Sequence, residues 1–205
     1  MVVLGALVSF GVLVLALQQG CAAPLDEAVL QALSGLAVPW LTTLMLAITW
    51  LGSWQAIVVV LAVFAWRERH RWRTSVRRVL IAAAGGGGLS LALKWGIRRP
   101  RPDLSRALLE VTGFAFPSGH ALLSLVCYGS LVAVLASRAR SRREAVFIYL
   151  AGGALILAIG FTRLYLGVHH LTDVLAGYAA GIAWLGCVGL WLGRGVDGRS
   201  QRPTL

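Results

Sequence analysis

Four polar, titratable residues lie close together in the stretch RLYLGVHHLTD, residues 163–173, which is flanked by apolar sequence. They are Arg163, His169, His170 and Asp173. A carboxylate that accepts a hydrogen bond from an imidazole N–H fixes the tautomer of the ring and raises its basicity, which makes the histidine a nucleophile or a general base. If the segment is helical, Asp173 is four residues from His169 and three from His170, so spacing alone leaves both histidines as candidates.

A second group of charges lies in the stretch KWGIRRPRP, residues 94–102. Lys94 ends a long apolar run, and three arginines follow it within seven residues. A guanidinium group can bind two phosphate oxygens at once, and a lysine supplies a point charge. Pro100 and Pro102 stiffen the backbone that carries these side chains. The pattern therefore indicates a basic pocket for an anionic group.

The same loop ends in FAFPSGH, residues 114–120, immediately before another apolar run. Ser118 is a favoured helix N-cap residue, and its neighbours Pro117 and Gly119 indicate a turn into the helix. The first N–H groups of a helix and its positive dipole end can bind an anion. We therefore expect the amides of Ser118 and Gly119 to contact the bound anion. His120 would be costly against lipid, so we expect it to face the pocket.

Together these groups predict a site for phosphoryl transfer, which depends mainly on positioning and on stabilisation of charge. The sequence has no carboxylate cluster suited to magnesium or calcium and no Cys/His spacing typical of zinc, so we expect neither a metal nor a cofactor. One histidine would attack phosphorus and the other would protonate the departing oxygen. Such a pair predicts a bell-shaped pH dependence of the rate around the ordinary histidine pKa of about 6.5.

The elements that must position these residues are helices that cross a membrane. Of the 205 residues, 58% are hydrophobic and 13% are charged, whereas about a quarter of a soluble domain is charged. The fold class predicted is all-α, a polytopic membrane helix bundle, because apolar runs approach the length of about 20 residues that crosses a bilayer. About six transmembrane helices are expected, at residues 2–17, 53–66, 79–97, 118–136, 145–161 and 174–192. Residues 38–51 are expected to form a separate shallow or re-entrant helix, or else part of one long tilted helix.

Basic residues predict the orientation of this bundle. The formal net charge is +11. With six spans, one side of the membrane carries both termini and most basic residues, which are the clusters at residues 66–78 and 137–143 and arginines 194, 199 and 202. That side should be cytoplasmic. Because these residues lie in short loops between apolar runs, nucleic acid is not an expected partner. Three loops then face outward, at residues 21–35, 94–117 and 162–172. The loop at 94–117 carries several arginines, among them Arg106, on the side that should be poor in basic residues. Such an exception to the positive-inside rule can mark a functional site.

The first 35 residues are expected to be a retained span and an outward loop, because the first apolar run has no basic residue of the kind that precedes a cleaved signal peptide. Residues 36–193 are expected to form the core, with active-site loops 94–120 and 162–173, and residues 194–205 a cytoplasmic tail. The whole chain would be one membrane-embedded domain. A glycine run at 85–88 is expected to allow close packing of helices.

The three motifs resemble those of the type-2 phosphatidic acid phosphatase family, the membrane-bound lipid phosphate phosphatases. In that family a Lys is followed after six residues by Arg-Pro, then comes Pro-Ser-Gly-His, and then Ser-Arg, five residues, His, three residues and Asp. Here Lys94 with Arg101, residues 117–120, and Arg163 with His169 and Asp173 are in register. There are two departures from the family pattern. Thr162 stands where the family has serine, and the stretch RRPRP offers a second Arg-Pro pair at residues 99–100, two residues too early for the register, so the role is given to Arg101.

The resemblance implies a role for each residue in these motifs. His169 would be the nucleophile that forms a phosphohistidine, Asp173 would orient it, and His120 would be the general acid. The phosphoryl oxygens would be bound by Lys94, Arg101, Ser118, Gly119 and Arg163. The register gives no role to His170, and Arg98 and Arg99 are left with contact to a lipid headgroup or none.

The same resemblance implies a phosphorylated membrane lipid as substrate, of the undecaprenyl diphosphate, phosphatidylglycerophosphate or phosphatidic acid type. The composition, rich in alanine, leucine and arginine, favours a bacterial cytoplasmic membrane, with the site facing the periplasm or the cell exterior. Two alternatives stay open: a lipid phosphotransferase that uses the same site, and a non-catalytic lipid transporter or scaffold. The sequence does not indicate an oligomeric state.

Overall fold

The structure of the protein is a computed structural model that describes residues 1–103 and 107–197, without the side chains of residues 73, 74 and 193–197. Within these ranges every regular element is helical. Arg106 and the tail beyond residue 197 lie outside the described residues, as does the side chain of Arg194. The helices are α1 (Val2–Gln18), α2 (Ala23–Ser34), α3 (Pro39–Leu51), α4 (Trp54–Arg67), a 3₁₀ turn (Arg69–Arg71), a π-helical turn (Trp72–Val76), α5 (Arg77–Ile97), α6 (Gly119–Ala136), α7 (Arg142–Tyr165) and α8 (Leu171–Asp197).

The helices have the length and composition of a polytopic membrane bundle. In the described ranges, four helices are long and apolar enough to cross a bilayer by themselves: α5, α6, α7 and the part of α8 up to residue 192. The pair α1–α2, bent by 92°, and the pair α3–α4, bent by 52°, raise the number to six if each pair forms one span. The predicted all-α membrane fold is confirmed, while the placement of the termini stays a prediction.

The apolar stretch after residue 36 forms two helices and not one long helix. Gly52 ends α3, and the Ser53 hydroxyl accepts a hydrogen bond from Ala56 N at 3.2 Å to cap the start of α4. A side-chain cap satisfies a free N–H at the helix start and favours a new helix over a continued one. The expected separate helix at 38–51 is therefore present as α3.

The segment 21–35 was expected to be an outward loop. Its side of the membrane stays a prediction, but the expectation of a loop is wrong. Most of it forms α2, which has Pro24 in its first turn, a position that tolerates proline. Val29 and Leu33 of α2 pack against a buried cluster at the ends of α6, α7 and α8. Asp26 on the same helix is 1% exposed. Burial of apolar and polar side chains along one helix face explains why the short segment is ordered.

Helix α6 lies at the centre of the bundle, in contact with α5, α7 and α8. A side chain at Gly86 of α5 would crowd Val126 of α6, and one at Gly85 would clash with Trp184 of α8, whose indole N–H donates to the Ala82 carbonyl at 2.8 Å. The expected role of the glycine run in close packing is confirmed for these two glycines. The other two, at 87 and 88, have open space beside them.

Candidate active site

The sequence-predicted residues converge at one end of the bundle because each lies at the end of a helix or in an adjoining loop. Lys94 is in the last turn of α5 and Arg163 in the last turn of α7. His120 is in the first turn of α6, and Asp173 is in the first turn of α8. Antiparallel neighbours bring the last turn of one helix beside the first turn of the next.

His169 and Asp173 form a buried pair, with exposures of 3% and 0%. Nδ1 of His169 lies 3.4 Å from Oδ2 of Asp173, and Nε2 of the same ring lies 3.4 Å from Nη1 of Arg101. Burial lowers the pKa of His169 to about 4, although the nearby Asp173 carboxylate acts to raise it. The ring is therefore neutral at physiological pH. With its proton on Nδ1, the Nε2 lone pair faces Arg101.

His170 is almost as close to the carboxylate, but its surroundings differ. Its backbone N–H donates to Oδ2 of Asp173 at 2.8 Å, so the carboxylate caps α8 at the residue before its first turn. Its ring Nδ1 lies 3.5 Å from the same oxygen but has no hydrogen-bond partner among the described residues. The residue lines a cavity of about 190 Å³ together with Glu27 and Asp103. What distinguishes the two histidines is therefore the environment of each ring and not its distance from Asp173.

Arg101 is held by carbonyl oxygens of the surrounding loops. Its Nη1 donates to the Val168 carbonyl at 2.8 Å. Its Nε donates to the Gly113 carbonyl and its Nη2 to the Thr112 carbonyl, each at 3.0 Å. Burial lowers the pKa of Arg101 from its ordinary value, yet an arginine stays charged in proteins. The guanidinium is therefore a fixed positive charge beside Nε2 of His169.

Arg163 is a second fixed charge, only 2% exposed. Its Nη1 donates to the Thr49 hydroxyl of α3 at 2.7 Å, and its Nε has no hydrogen-bond partner among the described residues. The neighbouring Thr162 hydroxyl donates to the Ile159 carbonyl of its own helix at 2.6 Å. The threonine that departs from the family motif therefore keeps a hydroxyl bonded within α7.

The expectations for Ser118 need two corrections. Ser118 occupies the N-cap position of α6, but its hydroxyl makes no capping hydrogen bond, and its amide donates to the Asp173 carbonyl at 2.9 Å. That amide therefore serves α6–α8 packing and is not available to a substrate. Its fully buried Oγ has no hydrogen-bond partner in the described part of the chain. The hydroxyl, and not the amide, is the group through which Ser118 can bind an anion.

Gly119 and Lys94 lie side by side where α5 meets α6. A side chain at Gly119 would come within 3.4 Å of Ser90 Oγ and 3.7 Å of Lys94 Cε. As the first residue of α6, Gly119 has an N–H with no partner inside the helix. Lys94 Nζ donates to the Phe114 carbonyl at 2.6 Å. The ammonium group and the first amide of α6 are thus held on the same side of the site.

His120 packs against the break between α3 and α4. A side chain on Gly52 would come within 2.9 Å of Cδ2 of the His120 ring, which is tighter than real contacts allow. The charges of Arg163, Arg101 and Lys94 all act on the His120 ring, as does His169. The second histidine is therefore part of the same charged cluster as the first, and the glycine at the helix break makes room for it.

The structure also brings in residues that the sequence patterns did not assign. Arg99 Nη1 donates to Oδ1 of Asp173 at 2.6 Å, and its Nη2 donates to Oδ2 of Asp26 at 2.8 Å. The Thr172 hydroxyl donates to the same Asp26 oxygen at 2.6 Å, and the Thr172 amide donates to Oδ1 at 3.0 Å. The available signal was a pair of acidic residues, Asp26 and Glu27, in a segment predicted to face the same side of the membrane as the unassigned arginines.

The fold and the site define a class: a helical membrane protein with a buried His–Asp pair among fixed positive charges. Consistent with this, the model of the PAP2 superfamily matches residues 75–195. The chain belongs to the PAP2 superfamily, as its three motifs predicted.

The curated proteins that are similar in sequence include the following two. Phosphatidylglycerophosphatase B of Bacillus subtilis (strain 168) is 29% identical over 177 residues, which are 84% of this chain and 86% of that protein. Glucose-6-phosphatase 3 of Bos taurus is 28% identical over 170 residues, which are 72% of this chain and 48% of that protein. Both relatives are named as phosphatases, and the predicted enzyme class, a lipid phosphate phosphatase, is confirmed by the first.

Two solved structures share the fold. The crystal structure of a transmembrane PAP2-type phosphatidylglycerolphosphate phosphatase from Bacillus subtilis superposes with a TM-score of 0.86 at 26% identity, covering 99% of both chains. The crystal structure of Aquifex aeolicus LpxE superposes with a TM-score of 0.64 at 23% identity, covering 80% of this chain and 94% of that one. The first likeness extends over α1 and α2, which lie outside the matched family segment.

Proposed function

We propose that this protein hydrolyses a phosphate monoester or diphosphate on a membrane lipid through a phosphohistidine on His169, without a metal ion. The observation that carries the proposal is the placement of the His169 ring. Nδ1 faces the Asp173 carboxylate and Nε2 faces the Arg101 guanidinium. A phosphoryl group bound by Arg101 would therefore be adjacent to the lone pair of a neutral, oriented imidazole.

In the first step, Nε2 of His169 attacks phosphorus and the bond from phosphorus to the leaving oxygen breaks. His120 donates a proton to that oxygen, so the product alcohol or phosphate leaves protonated. The Asp173 carboxylate stabilises the positive charge that develops on the attacking ring. The negative charge of the transferring group is stabilised by fixed donors, which are the side chains of Lys94, Arg101, Arg163 and Ser118 and the amide of Gly119.

In the second step, water attacks the phosphohistidine and the N–P bond breaks. His120, deprotonated by the first step, accepts a proton from that water as inorganic phosphate forms, and neutral His169 is restored. Ser118 Oγ and Arg163 Nε, two buried donors that have no hydrogen-bond partner among the described residues, are suited to phosphoryl oxygens. Pairing them with phosphate would remove the cost of leaving polar atoms unsatisfied.

Metal independence follows from how the acidic side chains are used. Asp173 and Asp26 both accept hydrogen bonds from Arg99, and positive side chains take the place of a metal in stabilising the phosphoryl group. Activity should therefore persist when a chelator is present. Abolition of turnover by chelation would contradict this part of the proposal.

The relatives favour phosphatidylglycerophosphate as the first substrate to test, because a phosphatidylglycerophosphatase is similar over most of both chains. Undecaprenyl diphosphate and phosphatidic acid present the same phosphoryl chemistry at the membrane surface. We place the site at the outer face of a bacterial cytoplasmic membrane, because the basic clusters at 66–78 and 137–143 lie at the other end of the helices. The chain would act as one membrane-embedded domain.

The test is phosphate release by purified protein in detergent from a panel of these lipids, with and without chelator. We expect release from at least one lipid in both conditions, and inhibition by vanadate. A phosphotransferase would instead pass the phosphoryl group to an added acceptor lipid, and the same assay run with acceptor alcohols detects it. Tight lipid binding with no release from a folded sample would favour a transporter or scaffold.

A further inference from the structure

A buried network of hydrogen bonds and ion pairs joins α2 to the site. Arg99 bridges two carboxylates, one on α8 and one on α2, and its side chain is only 10% exposed. Asp26 accepts from the amide and the hydroxyl of Thr172 as well as from Arg99. Resting on the proposed function, we infer that Asp26 and Arg99 are positioning residues that set the orientation and the charge of the Asp173 carboxylate during catalysis.

The geometry of the guanidinium carries the first part of this inference. The group is planar, so binding Nη2 to Asp26 at 2.8 Å fixes the direction in which Nη1 points. Nη1 then contacts Oδ1 of Asp173 at 2.6 Å. With Oδ1 held, Oδ2 is left to the His170 amide and to Nδ1 of His169. One residue on α2 thereby determines which carboxylate oxygen orients the nucleophile.

Charge carries the second part. Arg99 alone would place an uncompensated positive charge against Asp173, and that charge would weaken the effect of the carboxylate on His169. Asp26 compensates this charge from the far side of the guanidinium. The pair Asp26–Arg99 therefore fixes the geometry of Asp173 and leaves its negative charge available to the imidazolium that forms in the transition state.

The proposed positioning role of Asp26 does not follow from the three sequence motifs, because Asp26 lies outside them. Asp26 lies outside residues 75–195, the segment matched by the family model. It reaches the site only because α2 turns by 92° from α1 and packs across the ends of α7 and α8. Helix α2 is thus assigned a part in catalysis in addition to its part in packing.

The kinetic test compares Asp26→Asn and Arg99→Gln with the wild-type protein. The side-chain hydrogen bonds of both residues within the described ranges go to Asp173, to Thr172 and to each other. We expect kcat to fall about 10- to 100-fold, as for loss of an orienting partner. The inhibition constant of inorganic phosphate should stay within about 3-fold if the phosphate-binding donors keep their places. The double variant should be about as slow as Arg99→Gln, because the two residues act as one unit.

The titration test separates positioning from a purely structural role. His169 is surrounded by Asp173 of α8, Arg163 of α7, Arg101, which follows α5, and His120 of α6, with Lys94 of α5 beyond. Removing the Arg99 charge should raise the pKa of His169, and removing the Asp26 charge should lower it. With four histidines in the chain, imidazole NMR titrations can be assigned by single substitutions. Shifts in opposite directions are expected.

Neighbouring residues provide matched controls. Glu27 is exposed and accepts a hydrogen bond from Gln31 one turn along α2, and Arg98 is exposed with its guanidinium over the Trp95 ring. Glu27→Gln and Arg98→Gln should keep kcat within about 2-fold of wild type. Asp26→Glu is the second variant in case asparagine weakens the fold, since it keeps the charge but displaces the carboxylate, and it should also lower kcat.

The outcomes that overturn this inference are distinct from those that overturn the proposed function. Wild-type kcat in folded Asp26→Asn, Asp26→Glu or Arg99→Gln would overturn the inference, and so would pKa values of His169 that do not move. Loss of phosphate binding in step with kcat would equally count against it, because it would indicate general collapse of the site. Absence of phosphate release by the wild-type protein would instead refute the proposed function itself.

Discussion

His169 and Asp173 face each other across 3.4 Å, from Nδ1 to Oδ2, in a site that is closed to solvent on the side of the carboxylate. The same oxygen accepts the His170 amide at 2.8 Å, and the other oxygen accepts Arg99 at 2.6 Å. Both oxygens of Asp173 are therefore committed, and the orientation of the carboxylate is fixed before a substrate binds. This relationship determines which ring nitrogen of His169 remains free.

The first prediction concerns the choice between the adjacent histidines. His169→Ala should lower kcat by roughly 10³-fold or more, because it removes the nucleophile. His170→Ala should lower it less than about 10-fold, because the backbone amide of residue 170, and not its ring, binds Asp173. The measurement is steady-state phosphate release by each variant. Equal losses in the two variants would contradict the prediction, because they would show that the environment of the ring does not distinguish the two histidines.

The second prediction concerns the pKa of His169. Burial should hold it near 4, well below the ordinary histidine value of about 6.5. Between these values the unfolded chain binds more protons than the folded protein, so the free energy of unfolding should fall as the pH falls through this window. An imidazole NMR titration of the substrate-free protein gives the pKa directly. A value at or above 6.5 would contradict the described burial.

This pKa changes the expected form of the pH–rate profile. The sequence predicted a bell-shaped pH dependence centred on the ordinary histidine pKa. Because burial lowers the pKa of His169 to about 4, the acidic limb of the kcat/KM profile, which reports this residue, should lie near pH 4. The other limb reports the protonated general acid. The profile should therefore extend further to the acid side than two unperturbed histidines would allow.

The third prediction concerns the hydrogen bond between Arg163 and Thr49. Thr49→Val removes the acceptor that holds Nη1 at 2.7 Å and leaves a buried guanidinium donor without a partner. We expect a loss of about 1–3 kcal/mol in the free energy of unfolding and a KM several-fold higher. Thr43→Val is the control, because Thr43 is exposed on the same helix and its hydroxyl donates to the Pro39 carbonyl of that helix. Equal effects of the two substitutions would refute the assigned role of Thr49.

The fourth prediction concerns orientation in the membrane. In a chain whose three cysteines have been replaced, Ser34→Cys at the active-site end should react with a membrane-impermeant maleimide added to intact cells. Arg140→Cys at the opposite end should react only after the cells are opened. Both positions are exposed on the protein. A difference in labelling therefore reports the side of the membrane on which each position lies. The reverse pattern would place the site in the cytoplasm.

The sequence predicted features that depend on residues close together in the chain, and it did not predict contacts between residues far apart in the chain. Apolar runs and motif spacing predicted the helices and the convergence of Lys94, His120 and Arg163, because each lies near a helix end that the sequence marks. They did not predict the contact of Arg99 with Asp26, which lies 73 positions away. Nor could they show that the Ser118 amide is used by the Asp173 carbonyl.

The error in segment 21–35 has a similar physical cause. Its polar residues and Pro24 are compatible with a loop, and only packing of Val29 and Leu33 against the ends of three other helices stabilises it as α2. A short helix gains most of its stability from such tertiary contacts. Asp26, which no motif includes, lies on this helix and accepts a hydrogen bond from Arg99.

The most direct test of the central claim is to identify the covalent intermediate. Wild-type protein quenched during turnover of a lipid carrying a labelled terminal phosphate should hold the label on the peptide that contains His169, as an acid-labile, base-stable phosphohistidine. The label should be absent from His169→Ala and present in His170→Ala. Label on His170, or turnover by His169→Ala at the wild-type rate, would contradict the assignment of His169 as the nucleophile.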